Sequence, residues 1–292
     1  MEREVLLSHI KNLKIWRKHD ERAPHKPLLI LYALSQLHNN QKSILNYEEA
    51  SNDLKQLLID FDPPRKGYAP EQPFVRLTND GIWRLNNPDV QRNQIKDNWL
   101  KMHHISGGLS DEVITLLKKD KSLMKEIADI LLDEHFPESL HDEILEAVGL
   151  DLSYTTRKVK KRDPEFRERV LRAYGYKCAV CGFDIRLGHK LIGVEAAHIK
   201  WHTVGGPDIE PNGIALCTMH HKLFDSGVFT VDESLRLIIS QNAHGSNGFN
   251  DWLMRYHAQK ITSPIQKNYY PEPEYLNWHV REVFKGQPIR FY

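Results

Sequence analysis

The sequence predicts an α+β protein of two domains. A helical domain with one small hairpin spans residues 1–150, and a basic linker spans 151–165. A second domain, 166–292, is built on short strands and a helix clasped by cysteine and histidine side chains. Three observations predict this. The chain has 292 residues, enough for about two ordinary domains. Its first half carries long apolar runs at helical spacing, while its second half alternates short apolar runs with Gly- and Pro-containing loops. All three cysteines lie in the second half, each in a tight pair with another cysteine or a histidine.

The elements of the first half follow in order. The opening segment has a helical pattern. In "ERAPHKPLLILYALSQL" a proline-marked turn feeds a strongly apolar helix. "YEEASNDLKQLLIDF" is a second, amphipathic helix with Leu54, Leu57, Leu58 and Phe61 on one face. "PPRKGYAPEQPFVRLTNDGIWRLN" reads as a Pro-rich loop entering a hairpin, with "TNDG" as its turn and Pro73 and Phe74 opening its first strand. Helices follow from Asp111 to Gly149.

Hydrophobic residues make up 40% and charged residues 27%, which fits a globular chain rather than a disordered one. No apolar run is long enough to span a membrane. The charged N-terminal segment lacks a secretory apolar core, so a cytoplasmic location is expected. A net charge of +1 is uninformative, but its distribution is not. Residues 111–146 are rich in acids and "RKVKKRDPEFRERVLR", 157–172, is rich in bases. Such a stretch suits a phosphate backbone, and equally suits a solvated linker with a charged helix face.

The cysteines are Cys178 and Cys181 in "YKCAVCGF" and Cys217 in "ALCTMH", where His220 completes a C-x-x-H pair. Two knuckles with four soft donors make a tetrahedral structural Zn²⁺ site. A redox reading of C-x-x-C would leave Cys217 and His220 unexplained. One question follows. His220 and His221 are adjacent, and neighbouring helical side chains point about 100° apart. One ion cannot easily use both, so His221 is assigned to a different site.

Between the knuckles, "LIGVEAAHI" reads as a strand, "KWHTVGGPDIEPNG" as a loop, the residues before Cys217 as a second strand and those after it as a helix. With His198, Asn212 and His221 at its corners, this segment resembles the HNH nucleases of the ββα-metal fold, over about fifty residues from Cys178 to Gly227. The resemblance implies hydrolysis of phosphodiesters. His198 would be the general base, since an imidazole titrates near neutrality. His221 would hold one divalent cation, Mg²⁺ or Mn²⁺, against the scissile phosphate. Asn212 would pin the loop and orient the base, although "PNG" is a turn signal in its own right. Many HNH nucleases carry an acidic metal ligand just before the base histidine, where this chain has Ala197. Glu195, of the same strand parity, and Asp225, four residues past His221, are the candidate replacements. A strand salt bridge and a helix-terminal residue are their respective alternatives. His189 and His202 read as ordinary loop histidines.

After the motif, "VFTVDESLRLIIS" predicts a strand pair, followed by "FNDWLMRYHAQKI" and "YLNWHVREVFKG". Trp278, His279 and Phe284 are expected in the core, and Arg255, Arg281, Lys285 and Arg290 are candidate phosphate contacts.

An HNH module reads little sequence, so the first half must choose the DNA. At "APHKPLLILYAL", "EQPFVRLTNDGIW" and "FPESLHDEILEAVGL" it resembles the sulfur-binding domain of phosphorothioate-dependent restriction enzymes, the McrA-like type IV group. The resemblance implies recognition of double-stranded DNA in which sulfur replaces a non-bridging phosphate oxygen, and cleavage of both strands nearby. A small apolar cup would accept the larger, less hydrated sulfur and penalise oxygen. Gln72, Pro73 and Phe74 would form it, and Lys18, Arg22, His25 and Lys26 would hold surrounding phosphates and base edges. The family often has an aromatic residue before this proline, where the chain has Gln72. The competing readings are an HNH nuclease directed to methylated or hydroxymethylated bases and a non-catalytic zinc-stabilised DNA-binding protein. The former needs an aromatic cage that "EQPF" does not offer, and the latter leaves His198, Asn212 and His221 without a purpose. Cutting both strands with one site per chain suggests a homodimer.

Overall fold

The computed structural model describes residues 1–15, 23–151 and 164–289. The chain divides into two compact units, Met1–Lys158 and Val159–Tyr292.

In the first unit α1 (Arg3–Lys11) precedes α2 (His25–Asn40), β1 (Leu45–Asn46), α3 (Tyr47–Phe61), α4 (Glu71–Arg76), β2 (Trp83–Leu85), α5 (Asp97–Met102), β3 (Ser106–Leu109), α6 (Asp111–Lys119), α7 (Lys121–His135) and α8 (His141–Val148). The apolar run of the sequence becomes α2, buried continuously from Lys26 to Ser35. A helix apolar on every side belongs at the centre of a bundle, and α2 packs against α3, α4, α7 and α8. Its neighbours are started by local caps. Asn46 accepts from the Glu48 amide, and Asp120 from the Ser122 amide. On α3, Leu54, Leu57 and Leu58 are buried as the amphipathic pattern requires, with Phe61 at the edge.

The expected hairpin around "TNDG" does not form. Leu77–Asp80 is a short 3-10 turn ended by Gly81 at φ +74°. The strand after it, β2, pairs antiparallel with β3, Trp83 opposite Leu109, in a three-stranded sheet of order β1-β3-β2. Pro73 opens no strand. It sits in the first turn of α4, where backbone N–H groups have no intrahelical acceptor and a proline costs nothing.

In the second unit α9 (Pro164–Ala173) is followed by the short pair β4 (Arg186–Leu187) and β5 (Lys190–Leu191). Then come β6 (Val194–His198), β7 (Gly213–Cys217), α10 (Thr218–Asp225), β8 (Phe229–Val231), β9 (Leu237–Ile239), α11 (Asn247–Trp252) and α12 (Pro273–Glu282). β6 and β7 are antiparallel, running from Val194 opposite Cys217 to His198 opposite Gly213. β8 and β9 form the second expected strand pair, Phe229 opposite Ile239, around a turn in which Asp232 accepts from the Ser234 and Arg236 amides. Phe166, Val170, Ile214 and Phe224 lie in one core cluster. Trp278, His279 and Phe284 are buried, as expected. Among the described residues no helix is long and apolar enough to cross a membrane.

Candidate active site and DNA-reading cavity

The two knuckles meet. The Ala179 amide donates to the Ala215 carbonyl at 2.8 Å, tying the C-x-x-C loop to β7, and α10 begins directly after Cys217. The donor atoms of Cys178, Cys181, Cys217 and His220 lie within 4.8 Å of one another. Cys178 Sγ is 3.6 Å and Cys217 Sγ 3.1 Å from His220 Nδ1, and Cys181 Sγ is 4.0 Å from Cys217 Sγ. Ordinary zinc bond lengths put S···S edges of a tetrahedron at about 3.8 Å and S···N edges at about 3.5 Å, so the set fits Zn²⁺. The far nitrogen, Nε2–H, donates to the Trp252 carbonyl at 2.9 Å, which fixes the tautomer with Nδ1 as ligand. The electrostatics agree. Hydrogen bonds from Cys181 and Cys217 hold the Cys178 thiol far below its ordinary range, and those with Cys178 and Cys181 drive Cys217 up. Burial would lower His220, but Cys178 and Cys181 raise it to about 9. A bound cation is what would let these crowded thiols ionise together.

His221 belongs to a second constellation. Its ring is 8% exposed, with a carboxylate at each nitrogen. Nδ1–H donates to Glu195 Oε2 at 2.7 Å, and Nε2–H meets Asp225 Oδ2 at 3.1 Å. Glu195 reaches across from β6, and Asp225 lies one helical turn on, as their spacings predicted. Both candidate carboxylates therefore converge on one ring. Asp225 Oδ1 also accepts from Trp201 Nε1 at 3.2 Å, so a buried carboxylate is fixed on both sides. Burial would lower the His221 pKa, but Asp225 and then Glu195 raise it to about 9. The hydrogen bond from His221 in turn holds Glu195 below its usual range. The two carboxylates stand at opposite nitrogens of the ring, so a hard divalent cation held by His221 could share it with Glu195 or with Asp225, not with both.

His198 ends β6. Its Nε2–H donates to Asp208 Oδ1 at 2.7 Å, and Phe166 of α9 stacks on the ring at 4.1 Å between centroids. Asn212 is fully buried and clamps the loop. Its Nδ2 donates to the Lys200 and Pro207 carbonyls, each at 2.9 Å, and its Oδ1 accepts from the Lys200 amide at 2.8 Å. It thus acts on the backbone around the base rather than on the ring. His202 is 68% exposed and reaches Asp208 at 3.3 Å, and His189 is exposed in the β4–β5 turn. Asp208 and Phe166 were missed in the sequence. "GPD" reads as turn chemistry, and Phe166 reads as the apolar face of a helix.

In the first unit a cavity of about 500 Å³ is lined by Ala23, His25, Lys26, Gln72, Pro73 and Arg76, among others. Four of the expected reading residues thus share one wall. Their freedom differs from expectation. Lys26 is 8% exposed, and its Nζ donates to the Lys14 carbonyl at 2.8 Å and to the Asp80 carboxylate. It is a buried ion-paired residue, not a loose phosphate clamp. His25 Nε2–H donates at 2.8 Å to Asp62, which also accepts from Arg65 Nε at 2.9 Å. Arg76, unremarked in the sequence, donates to Gln72 Oε1 at 3.0 Å and stands exposed at the cavity. Phe74 is corrected outright. It is fully buried, packed edge-on to Tyr47 at 5.0 Å and Trp83 at 5.5 Å, and cannot touch DNA. Lys18, Arg22 and Arg290 lie outside the described residues, as does most of the expected linker 151–165. Arg255 is exposed beside the Tyr256 ring, Lys285 is half-buried, and Arg281 is paired with Glu282 at 2.9 Å.

A ββα element with a histidine at each end, beside a cysteine–histidine cluster, is the architecture of an HNH-type nuclease. Residues 178–232 match the HNH endonuclease family, and the protein is an HNH-type nuclease. Residues 3–153 match the family described as ScoMcrA-like, DNA sulfur-binding domain. That match covers over half of the chain, and the chain belongs to this family. Among solved structures, the chain is similar to the sulfur-binding domain of SprMcrA complexed with phosphorothioated DNA, at 20% identity. That alignment covers 51% of this chain and 95% of the other, with a TM-score of 0.41. It is also similar to the type IV phosphorothioation-dependent restriction endonuclease ScoMcrA, at 17% identity over 57% of this chain and 38% of the other, TM-score 0.41. The modification-dependent TagI restriction endonuclease is 21% identical over 46% of this chain and 41% of its own, TM-score 0.30. The chain thus spans well under half the length of the last two. No curated protein matches it.

Proposed function

We propose that the protein is a phosphorothioate-dependent endonuclease. Its first unit binds double-stranded DNA at a backbone sulfur, and its second hydrolyses phosphodiester bonds nearby. The observation that carries this reading is the cavity in the sulfur-binding segment, whose lining includes Pro73, itself largely buried, with His25 and Arg76. The same chain holds an intact His198–Asn212–His221 set.

The chemistry divides between the units. A sulfur-substituted phosphate keeps its negative charge but is more polarisable and less strongly hydrated. The apolar face of Pro73 and the methylene stem of Gln72 would favour sulfur over oxygen, because oxygen gives up more hydration on entry. His25 and Arg76 would hold the charge, which is common to both phosphates. In the second unit His198 takes a proton from the attacking water. His221, with either Glu195 or Asp225, would hold one Mg²⁺ or Mn²⁺, which when bound supplies positive charge against the scissile phosphate and the leaving oxygen. Zn²⁺ on the four-residue cluster serves the fold. One site per chain and two strands to cut favour a homodimer.

The test is digestion of matched duplexes that differ by one sulfur. The sulfur-bearing duplex should be bound more tightly and cut on both strands, with the oxygen duplex left intact. Equal binding and cutting of both would overturn the sulfur reading.

A further inference from the structure

We propose that Asp208 is a positioning residue of the nuclease. Its carboxylate holds the base histidine His198 in the Nε2–H tautomer, so that Nδ1 accepts the proton of the attacking water. The inference rests on the hydrolysis proposed above and adds the group that aims its base.

The contact is a short one, His198 Nε2 to Asp208 Oδ1 at 2.7 Å. A carboxylate only accepts, so the nitrogen facing it carries the hydrogen, and the basic nitrogen is then the other one. The loop is built to make this contact. Asn212 bridges the carbonyls of Lys200, two residues past His198, and of Pro207, immediately before Asp208. This draws the two ends of the loop together. Gly206 permits the crossing, because a Cβ there would stand 1.8 Å from the Lys200 carbonyl oxygen. From α9, Arg169 Nη2 donates to the Asp208 carbonyl at 2.7 Å, and Phe166 covers the imidazole face. Ring, carboxylate and loop are thus fixed from three directions. The motif asparagine thereby gains a physical role, because it places the acid that orients the base.

His202 also approaches Asp208, at 3.3 Å, and the three residues bring one donor atom each within 4.8 Å. His198 and Asp208 make a direct hydrogen bond, and an ion shared by all three residues is the alternative that the His202→Ala variant separates below. Among the described residues, the charged groups beside the pair include His202 on the loop and Arg169 on α9, the latter 3.7 Å from Glu210. In the step itself, the water O–H breaks and its proton goes to Nδ1. The oxygen bonds to phosphorus, the P–O bond to the leaving oxygen breaks, and that oxygen takes a proton from solvent. Asp208 stabilises the imidazolium as it forms.

The experiment compares full-length wild type, Asp208→Asn, Asp208→Glu and His202→Ala. Nicking of a supercoiled plasmid, with and without phosphorothioate, is followed in Mn²⁺ across about pH 5 to 9. Asp208→Asn should slow cutting about 100-fold and move the rising limb of the rate–pH profile down by about one unit. Zinc content and plasmid binding should stay as in wild type. Asp208→Glu should recover part of the rate, and His202→Ala should cut like wild type. A rate and limb unchanged in Asp208→Asn would overturn the proposal. So would equal losses in Asp208→Asn and His202→Ala that excess Mn²⁺ restores, because the three would then be an ion site. Equal cutting of both plasmids by wild type overturns sulfur dependence alone and leaves Asp208 tested. No cutting of either overturns the hydrolysis and this inference with it.

Discussion

Lys26 separates a DNA contact from a structural one. Its ammonium meets the Asp80 carboxylate with side chains only 10% and 2% exposed. Asp80 is also tied through Oδ1 to the Lys14 amide at 2.7 Å and through its carbonyl to His9 at 2.9 Å. Lys26→Ala therefore strands a buried carboxylate at the junction of α2 with the segment after α1. Breaking one side of a buried pair costs about 3–5 kcal/mol, a large share of the roughly 5–15 kcal/mol that holds a domain together. For a unit of this size that is a melting point lower by about 10 °C. Replacing both members by neutral residues, Lys26→Met with Asp80→Asn, should recover much of the loss, since the stranded charge goes with its partner. Thermal unfolding of the four proteins reads the stability, and fluorescence titration with the sulfur-bearing duplex at two salt concentrations reads binding. The reasoning is refuted if Lys26→Ala melts like wild type while its DNA affinity falls and its salt dependence flattens, the signature of a lost phosphate contact.

The remaining expectations follow from the same geometry. His220→Ala should lose zinc and destabilise the second unit, while His221→Ala keeps zinc and loses cleavage; metal analysis alongside a nicking assay checks this, and equal zinc loss would join the two sites into one. Phe74→Ala should cost about 3–5 kcal/mol of stability in urea unfolding, with no change in sulfur preference in the fraction that stays folded. Arg76→Ala should weaken binding to sulfur and oxygen duplexes alike, whereas Pro73→Ala should narrow the gap between them, as titration of both duplexes would show. His279 is buried and neutral, its pKa lowered to about 3 by burial. Its unfolded form takes up a proton below about pH 6.5, so stability present above that pH is lost as pH falls toward 3, by about 1.4 kcal/mol per unit. His279→Gln should remove that slope from unfolding measured against pH.

What the sequence disclosed was set by how far apart the interacting residues lie. The zinc knuckles are each four residues long, and the strand, loop and helix around His198 and His221 fall within one short segment. Spacing alone placed Glu195 and Asp225 near His221, and both arrive there. The central helix was legible because burial on all faces leaves an unbroken apolar run. The hairpin was not, because a proline before alternating residues suits a helix's first turn as well as a strand's first residue. The deciding contact, Trp83 with Leu109, is made to a segment far along the chain.

Charge was the least legible property, for a physical reason. A lysine and an aspartate 54 residues apart look like two solvated side chains in a sequence. Once the fold closes between them, neither is available to a ligand. Lys26 was a natural choice for a phosphate contact by type and position, yet its charge is spent on Asp80. Arg76 drew no notice, yet its guanidinium stands at the cavity, held there by Gln72. The same logic runs the other way in the second unit. Asp208 looks like turn chemistry until the loop closes, and then it is the group that orients the base. In both units the residue type states what chemistry is available, and the fold decides which copies of that chemistry face the DNA. A reading surface inferred from basic residues alone will therefore include cations that the fold has already neutralised, while those that it leaves at the surface, such as Arg76, are the ones still able to meet a phosphate.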